Sequence, residues 1–180
     1  DNGKGVFDRM EEWMRVLGWL VVVLCVLLTA CEEIEQAAEE DTENPALPSS
    51  ETGKVVDIID GDTIDVRISG EVYRVRYIGV NTPERDEDCY SEATNANADL
   101  VEGQTVTLER DVSDTDQYGR LLRYVYVGDT FVNAALVADG YAEARRYAPD
   151  TAYFSYFQEL EDEARAANIG CHPYGVFVYP

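Results

Sequence analysis

Histidine is almost absent from this chain, which contains one, His172, in 180 residues. A metal site built from several histidines is therefore excluded, and a Ser-His-Asp or Cys-His mechanism would have to rely on that one residue near the C-terminal end. The chain also lacks the Gly-x-x-x-x-Gly-Lys run of phosphate-binding P-loops. These absences direct attention to carboxylates and arginines as the groups that carry chemistry.

Lysine is scarce as well, with Lys4 and Lys54 alone, while Asp and Glu together number 36 and the formal net charge is −22. Such a chain repels polyanions in dilute buffer, but at about 1 M salt the Debye length falls to about 3 Å and the repulsion largely disappears. The composition is similar to that of proteins from salt-loving microbes, and we expect a halophilic archaeal source. The alternative is an acidic surface without a special habitat. A hydrophobic content of 46% excludes a wholly disordered chain.

An apolar segment near the N-terminus predicts export. Residues 17–30 are almost wholly apolar but shorter than the roughly 20 residues that span a bilayer. They end in Leu-Thr-Ala before Cys31, which resembles the lipobox of prokaryotic lipoproteins, where the cysteine is lipidated and becomes the new N-terminus. We therefore expect residues 1–30 to be an upstream extension and signal peptide. A plain secretory signal and an uncleaved short anchor are the alternatives.

The segment after Cys31 predicts a tether. Residues 32–53 contain eight acids and no Lys or Arg, together with Pro45 and Pro48, and they show no hydrophobic period. We interpret residues 31–53 as the lipidated cysteine and an acidic disordered linker. This organisation predicts a lipid-anchored protein on the extracellular face of the cell membrane.

Residues 54–173 show the hydrophobic patterns of a folded domain, and residues 174–180 are interpreted as a C-terminal tail. Three strands precede a helix, and two strands and two further helices follow. This order predicts an α+β fold, mainly β, with a five-stranded OB-type β-barrel and three α-helices. An open α+β sandwich is the competing topology. The expected strands are 55–59, 64–68, 72–78, 105–109 and 121–127, and the expected helices are one capped by Ser91 and ended by Gly103, then 132–138 and 153–168.

Three polar segments could carry chemistry. Residues 60–63 read Asp-Gly-Asp-Thr between two strands, and two carboxylates on a glycine turn can offer oxygens to a divalent cation, although the same triplet is common in plain turns. Arg76 is followed by residues 81–84, Asn-Thr-Pro-Glu, in which the proline fixes the backbone that carries Glu84. Residues 116–120 place Arg120 at the entry to a strand, where it could bind a phosphate. A solvated loop acid and a surface ion pair are the ordinary interpretations of the last two.

Taken together and in this order, the segments resemble the staphylococcal-nuclease-like (thermonuclease) family. The resemblance covers residues 54 to about 172. It rests on the Asp-Gly-Asp-Thr turn, the run from Arg76 to Thr-Pro-Glu, the Tyr-Gly-Arg strand entry at 118–120 and the Val-Asn-x-x-Leu-Val start of a helix at 132. It implies a calcium-dependent phosphodiesterase that acts on DNA, preferably single-stranded, and on RNA.

The resemblance also implies roles for individual residues. Asp62, the side-chain oxygen of Asn81 and the carbonyl of Thr82 would bind Ca²⁺, and Asp60 would orient them. Glu84 would act as general base or position the attacking water, while Arg76 and Arg120 would bind the phosphate. The nucleotide would lie along two tyrosines, Tyr118 and Tyr147.

Asn81 is a departure, because the family usually has aspartate there. One negative charge is lost and calcium affinity should fall, since affinity follows the charge of the ligands. A higher calcium level, or help from Asp86 or Glu87, would compensate. We expect a working enzyme because Glu84 and both arginines remain.

Four cysteines are present, of which Cys25 lies in the signal segment and Cys31 is the predicted lipid site. Cys89 and Cys171 remain as an even pair in an exported domain, which predicts a disulfide. Two unrelated thiols are the alternative.

We expect a monomeric, membrane-tethered nuclease. A catalytically weak OB-fold module that binds nucleic acid or protein is the second hypothesis, and a lipoprotein with a purely structural role is the third. Asn81 favours the second hypothesis, whereas Arg76, Glu84 and Arg120 favour the first.

Overall fold

Short strands of mostly apolar residues form a closed barrel in the computed structural model, which describes residues 50–177. The predicted signal segment, the lipidation site Cys31 and most of the predicted linker lie outside the described residues. The strands are β1 Ser50–Ile58, β2 Thr63–Ile68, β3 Glu71–Tyr77, β4 Val80–Asn81, β5 Thr105–Glu109, β6 Leu121–Val127, β7 Thr130–Phe131 and β8 Glu143–Ala144. The helices are α1 Tyr90–Val101, α2 Val132–Ala138 and α3 Phe154–Ala167.

Five of the strands close on themselves. They are hydrogen-bonded in the order β3-β2-β1-β5-β6, with β3 and β6 pairing in parallel, Val75 opposite Leu121 and Tyr77 opposite Arg123. The other pairs of the barrel are antiparallel. The predicted five-stranded barrel with three helices is therefore confirmed, and the open sandwich is not formed.

The β2–β3 hairpin shows how local sequence sets the register. Ser69 and Gly70 both have positive φ, 50° and 100°, and turns of this kind match the twist of the flanking strands. The register that follows places Asp65 opposite Arg74 and Thr63 opposite Arg76. The turn thus brings the end of β3 beside the Asp-Gly-Asp-Thr segment.

A single apolar core fills the barrel and extends beneath α2 and α3. Alternate residues of the strands point inward and are fully buried, as the period of two predicts. Phe157 of α3 and Leu136 of α2 belong to this core. The strand residues that make up the centre of this core are Ile64, Val66, Val75, Tyr77, Val106, Leu108 and Val125.

The first strand begins earlier than the sequence pattern predicts. Residues 50–53, which we assigned to the linker, belong to β1 and pair with β5, where Ser50 lies opposite Glu109. The segment lacks alternating hydrophobic residues. A side chain would not fit at Gly53, since a Cβ there would lie 2.4 Å from the Val66 side chain. Arg123, which is buried, holds this part of β1 through Glu51 at 2.9 Å.

The start of α1 also differs from the prediction. The helix begins at Tyr90 and its N-cap is Cys89, with φ 67°, so Ser91 lies inside the first turn and does not cap it. Cys89 is instead held by a disulfide to Cys171, with 5.6 Å between the Cα atoms. The predicted pairing of these two cysteines is confirmed.

The C-terminal boundary moves outward in the same way. Residues 172–174 form a short 3-10 helix, and Phe177 is buried against Cys89, Ala93 and Cys171. Residues 174–177, which we interpreted as tail, are therefore part of the fold. Among the helices within residues 50–177, none has the length and apolar character needed to span a bilayer.

Candidate active site

The turn between β1 and β2 carries Asp62, which is buried. The Asp62 N–H donates to Oδ1 of Asp60 at 3.1 Å, and the turn closes through the Ile59 N–H, which donates to the Thr63 carbonyl at 3.0 Å. Position 61 has room only for glycine because Thr82 packs closely against it; a Cβ there would lie 2.7 Å from Oγ1 of Thr82. The glycine thus lets the turn and the segment after β4 meet.

Asp62 is the centre of the polar network. Its Oδ2 accepts hydrogen bonds from the N–H and the hydroxyl of Thr82 at 2.9 and 3.1 Å, and its Oδ1 accepts from the Thr63 hydroxyl at 3.0 Å. The Nη2 of Arg76 lies 3.1 Å from Oδ2. Residues 20 positions apart in sequence are therefore joined through one buried carboxylate.

The electrostatics of Asp62 indicate a shortage of positive charge. Burial raises its pKa to about 6, the Arg76 guanidinium opposes that rise, and the nearby Asp60 carboxylate adds to it. One arginine at 3.1 Å therefore does not offset the cost of desolvating this carboxylate. A bound cation would supply the missing charge, so Asp62 fits the predicted role of metal ligand.

Arg76 is held rigidly at the end of β3. Its Nη1 donates to the carbonyls of Tyr77 and Val80 at 2.8 and 2.9 Å, and its Nη2 faces Asp62 and Oδ1 of Asn81, the latter at 3.4 Å. The side chain is 12% exposed. A guanidinium fixed in this way presents its charge to a ligand without losing conformational freedom on binding.

Asn81 connects the site to a buried acid. The β4–β8 ladder places Asn81 opposite Glu143, and the Asn81 Nδ2 donates to Oε1 of Glu143 at 3.0 Å. Arg145 lies 3.0 Å from the same oxygen. Burial raises the pKa of Glu143, although the Asn81 hydrogen bond and the charge of Arg145 oppose the rise.

Arg120 and Arg76 both line a cavity of about 390 Å³. Its Nε donates to Oδ2 of Asp116 at 2.7 Å, and its guanidinium lies 5.6 Å from the centre of the Tyr118 ring. Tyr118 and Tyr147 line the cavity and are 75% and 49% exposed. The structure thus brings both predicted phosphate-binding arginines and both predicted nucleotide-contacting tyrosines to one cavity.

The loop that carries Tyr118 is tied down by acids. Asp150 accepts hydrogen bonds from the N–H groups of Val112 and Ser113 at 2.9 and 2.7 Å. Burial would raise the pKa of Asp116, but hydrogen bonds from the Arg120 backbone, the Arg120 side chain and the Tyr118 N–H lower it below its usual value. The loop is therefore preorganised before any ligand binds.

Glu84 lies apart from this network. Its N–H donates to Oε2 of Glu87 at 2.7 Å, and the Glu87 N–H donates back to the Glu84 carbonyl at 2.8 Å, which folds the loop into a turn. Glu84 is exposed, and no hydrogen bond within residues 50–177 joins its carboxylate to Asp62 or Arg76. Glu84 follows Thr82 by two residues in the sequence, and its side chain is open to solvent.

Sequence reasoning missed the buried amide that supports the turn. Asn97 of α1 is fully buried; its Oδ1 accepts from the Tyr77 hydroxyl at 2.8 Å and its Nδ2 donates to the Asp60 carbonyl at 2.9 Å. Asn133 of α2 similarly joins Val125 to Ile78. The available signal was a polar residue on the apolar face of each helix. Glu143 carried no such signal.

The donor set is compatible with Ca²⁺ but sparse. Within the described part of the chain, no cluster of three or more His, Cys, Asp or Glu side chains could hold a metal ion. Asp62 offers a carboxylate and Asn81 an amide oxygen, both of which are hard ligands that Ca²⁺ accepts. The Thr82 carbonyl and water would have to complete the shell.

Comparisons with known proteins give one consistent family. The family model described as "Staphylococcal nuclease homologue" matches residues 74–171. The thermonuclease of Staphylococcus hyicus is 29% identical over 154 residues, which are 82% of this chain and 91% of that protein. The thermonuclease of Staphylococcus intermedius is 37% identical over 118 residues, 62% of this chain and 70% of that protein. The SPbeta prophage-derived endonuclease YokF of Bacillus subtilis is 40% identical over 119 residues, but the match spans only 40% of its length.

Proposed function

The chain belongs to the staphylococcal nuclease family and is a nuclease of the thermonuclease type, and from this premise we propose that it uses Ca²⁺ to hydrolyse phosphodiester bonds of DNA, preferably single-stranded, and of RNA. One observation carries the proposal. Arg76 and Arg120 line the same cavity, and the Nη2 of Arg76 lies 3.1 Å from Oδ2 of the buried Asp62. An anionic phosphate between two arginines and a cation site is the arrangement that this reaction needs.

Asp62, the Asn81 Oδ1 and the Thr82 carbonyl would hold the ion. Bound Ca²⁺ supplies positive charge that polarises the phosphate and favours attack by water. Asp60 orients the site by accepting the Asp62 N–H. Each of these groups is fixed before substrate arrives, so little reorganisation accompanies binding.

Arg76 and Arg120 stabilise the charge that builds on the phosphate oxygens. Within residues 50–177 the hydrogen bonds of Arg120 use its backbone N–H and its Nε, so its terminal nitrogens remain available for phosphate. Glu84 accepts the proton of the attacking water as the new oxygen–phosphorus bond forms and the ester bond breaks. Its exposure to solvent suits a group that must meet water.

Tyr118 and Tyr147 give the cavity two exposed rings beside the arginines. Stacking of a base on an aromatic ring contributes about 1–3 kcal/mol and tolerates any sequence. Bases are free to stack in this way only in single strands or frayed ends. The exposed rings therefore support a preference for single-stranded substrate.

Two features of the chain support a proposed cellular location. The Cys89–Cys171 disulfide is the kind of bond that persists in oxidising compartments, which supports export. The lipobox-like segment supports a lipid anchor at Cys31 on the outer face of the cell membrane. We propose that the nuclease acts there as a tethered monomer on extracellular nucleic acid.

The proposal predicts cleavage that depends on Ca²⁺ and on Arg120. Incubation of the purified protein with single-stranded DNA and CaCl₂ should give shortened products on a gel, and EGTA should abolish them. Arg120→Ala should lower kcat about 10²-fold because one preorganised donor to the phosphate is lost. Arg74→Ala is the matched control, since Arg74 carries the same charge but pairs with Asp65 on the outer barrel surface. Equal loss in both variants, or full activity in EGTA, would refute the proposal.

The acidic composition predicts a second behaviour. At a net charge of −22 the protein repels polynucleotides, and salt screens this repulsion. We expect KM for single-stranded DNA to stay constant or fall as KCl rises from about 0.1 M to about 2 M, where a basic nuclease would lose affinity. A titration in which activity is highest in dilute buffer and collapses in molar salt would show that the local arginines, rather than the whole surface, govern binding.

A catalytically weak binding module remains the second candidate, and Asn81 is the observation that favours it. With an amide in place of the usual carboxylate, Asp62 is the one acidic residue among the three proposed ligands, Asp62, Asn81 and Thr82. Binding of single-stranded DNA without cleavage at any calcium concentration would select this alternative. The same binding curves measured in Arg120→Ala would show whether the cavity is the binding site.

A further inference from the structure

The residue that departs from the family pattern is in direct contact with a buried acid. Asn81 and Glu143 lie opposite each other in the β4–β8 ladder, 62 residues apart in sequence, and the Asn81 Nδ2 donates to Oε1 of Glu143 at 3.0 Å. Glu143 is 4% exposed. The two positions therefore cannot be considered separately.

Glu143 has little freedom to leave this contact. Arg145 lies 3.0 Å from its Oε1, and the Arg145 N–H donates to the Gly79 carbonyl at 2.8 Å. The next residue, Ala144, donates its N–H to Oε2 of Glu161 on α3 at 3.1 Å. The strand that carries Glu143 is thus held on both sides, so the carboxylate stays where residue 81 meets it.

The chemistry of the pair dictates which residue fits at position 81. An ionised carboxylate accepts hydrogen bonds and cannot donate, so a donor at position 81 suits it and a second carboxylate does not. The asparagine amide donates through Nδ2 to Glu143 and leaves Oδ1 on the side of Arg76 at 3.4 Å. An aspartate in the same place would set two carboxylates about 3 Å apart, which is strongly unfavourable when both are ionised.

We propose that Glu143 is the positioning residue of the metal site: it selects asparagine at position 81 and turns the Asn81 Oδ1 toward the cation. The proposal rests on the proposed calcium-dependent function for its final step. In this chain the negative charge that the family usually carries at position 81 lies instead one residue away across the ladder, on Glu143. Restoring aspartate at position 81 alone should consequently harm the site.

The test is a double-mutant cycle of Asn81→Asp and Glu143→Gln. Asn81→Asp alone should lower the unfolding temperature in EGTA by about 5 °C and should weaken Ca²⁺ binding or leave it unchanged. In the Glu143→Gln background the new amide can donate to the carboxylate introduced at position 81, so the same substitution should restore the unfolding temperature and tighten Ca²⁺ binding at least about tenfold. Calorimetry with CaCl₂ and thermal unfolding in EGTA provide the two readouts.

Glu161→Gln is the matched control. Glu161 is buried nearby and loses the same charge, but its hydrogen bond goes to Ala144 and not to Asn81. The effects of Asn81→Asp and Glu161→Gln should therefore add. The proposal is supported if the effect of Asn81→Asp changes sign in the Glu143→Gln background and simply adds to that of Glu161→Gln.

Two results would overturn it. Additive effects of Asn81→Asp and Glu143→Gln in both readouts would show that the contact does not select the residue. Equal coupling to Glu161→Gln would show that charge in general, rather than this contact, is responsible. If no variant binds Ca²⁺, the proposed function fails by itself, and the pair is judged on unfolding in EGTA, where neither metal nor substrate takes part.

Discussion

Glu84→Gln is expected to lower kcat about 10³-fold while the unfolding temperature stays unchanged. Glutamine keeps the shape of the side chain but cannot accept a proton. Glu84 is exposed, and the turn that holds it uses its backbone N–H and carbonyl, which the substitution preserves. The loss should therefore be confined to catalysis, and KM for single-stranded DNA should change little.

The measurement is a set of steady-state rates with saturating CaCl₂ across pH. At each pH the kcat of Glu84→Gln should lie far below that of the unaltered protein, because the proton acceptor is gone. Glu92→Gln is the matched control: it is the same substitution at an exposed glutamate in the first turn of α1. A similar loss in Glu92→Gln, or an unchanged kcat in Glu84→Gln, would remove Glu84 from the mechanism.

Removal of the disulfide should cost about 4 kcal/mol of the free energy of unfolding, because the bond closes a long loop. Cys89 and Cys171 are separated by 82 residues and both are buried, with Ala93 and Phe177 packed around them. In the unfolded chain the bridge restricts a large set of conformations, whereas in the folded chain the ends meet in any case. Urea unfolding of the Cys89→Ala/Cys171→Ala variant, compared with the oxidised protein, measures the difference.

The single variants separate the bridge from packing. If the bond itself is responsible, Cys89→Ala and Cys171→Ala should each lower the free energy of unfolding nearly as much as the double variant. Losses that simply add would indicate packing of two independent side chains. At 25 °C the kcat of the double variant should remain close to that of the oxidised protein, since the bridge contacts neither arginine of the cavity.

The barrel could be predicted from sequence because its strands depend on local patterns. Ile64, Val66 and Ile68 alternate with polar residues, and Ser69-Gly70 can adopt the positive φ angles that the hairpin needs. The start of β1 could not be predicted in this way. Residues 50–53 form a strand because β5 pairs with them and Arg123 holds Glu51, and both contacts come from distant parts of the chain.

In the candidate site as well, some residues could be predicted from local sequence and others depend on distant contacts. Asp62, Arg76 and Arg120 stand next to turns and strand ends that the sequence marks, so their convergence could be expected from the family resemblance. The partner of Asn81 could not, because β4 and β8 are two residues each and Glu143 lies 62 positions away. The sequence predicts Ser91 as the helix cap, whereas the N-cap is Cys89, two residues earlier, where the disulfide provides a tertiary constraint that local sequence does not show.

The parallel pairing of β3 with β6 links the proposed catalytic activity to completion of the barrel. Arg76 lies opposite Leu122 in that pairing, and Arg120 immediately precedes β6. The two arginines are therefore carried by the two strands whose pairing closes the barrel. A chain in which β3 and β6 had not yet paired would hold these two arginines apart and, on the proposed mechanism, could not bind phosphate between them. Under the proposed mechanism, enzymatic turnover would therefore serve as an assay of barrel closure during refolding.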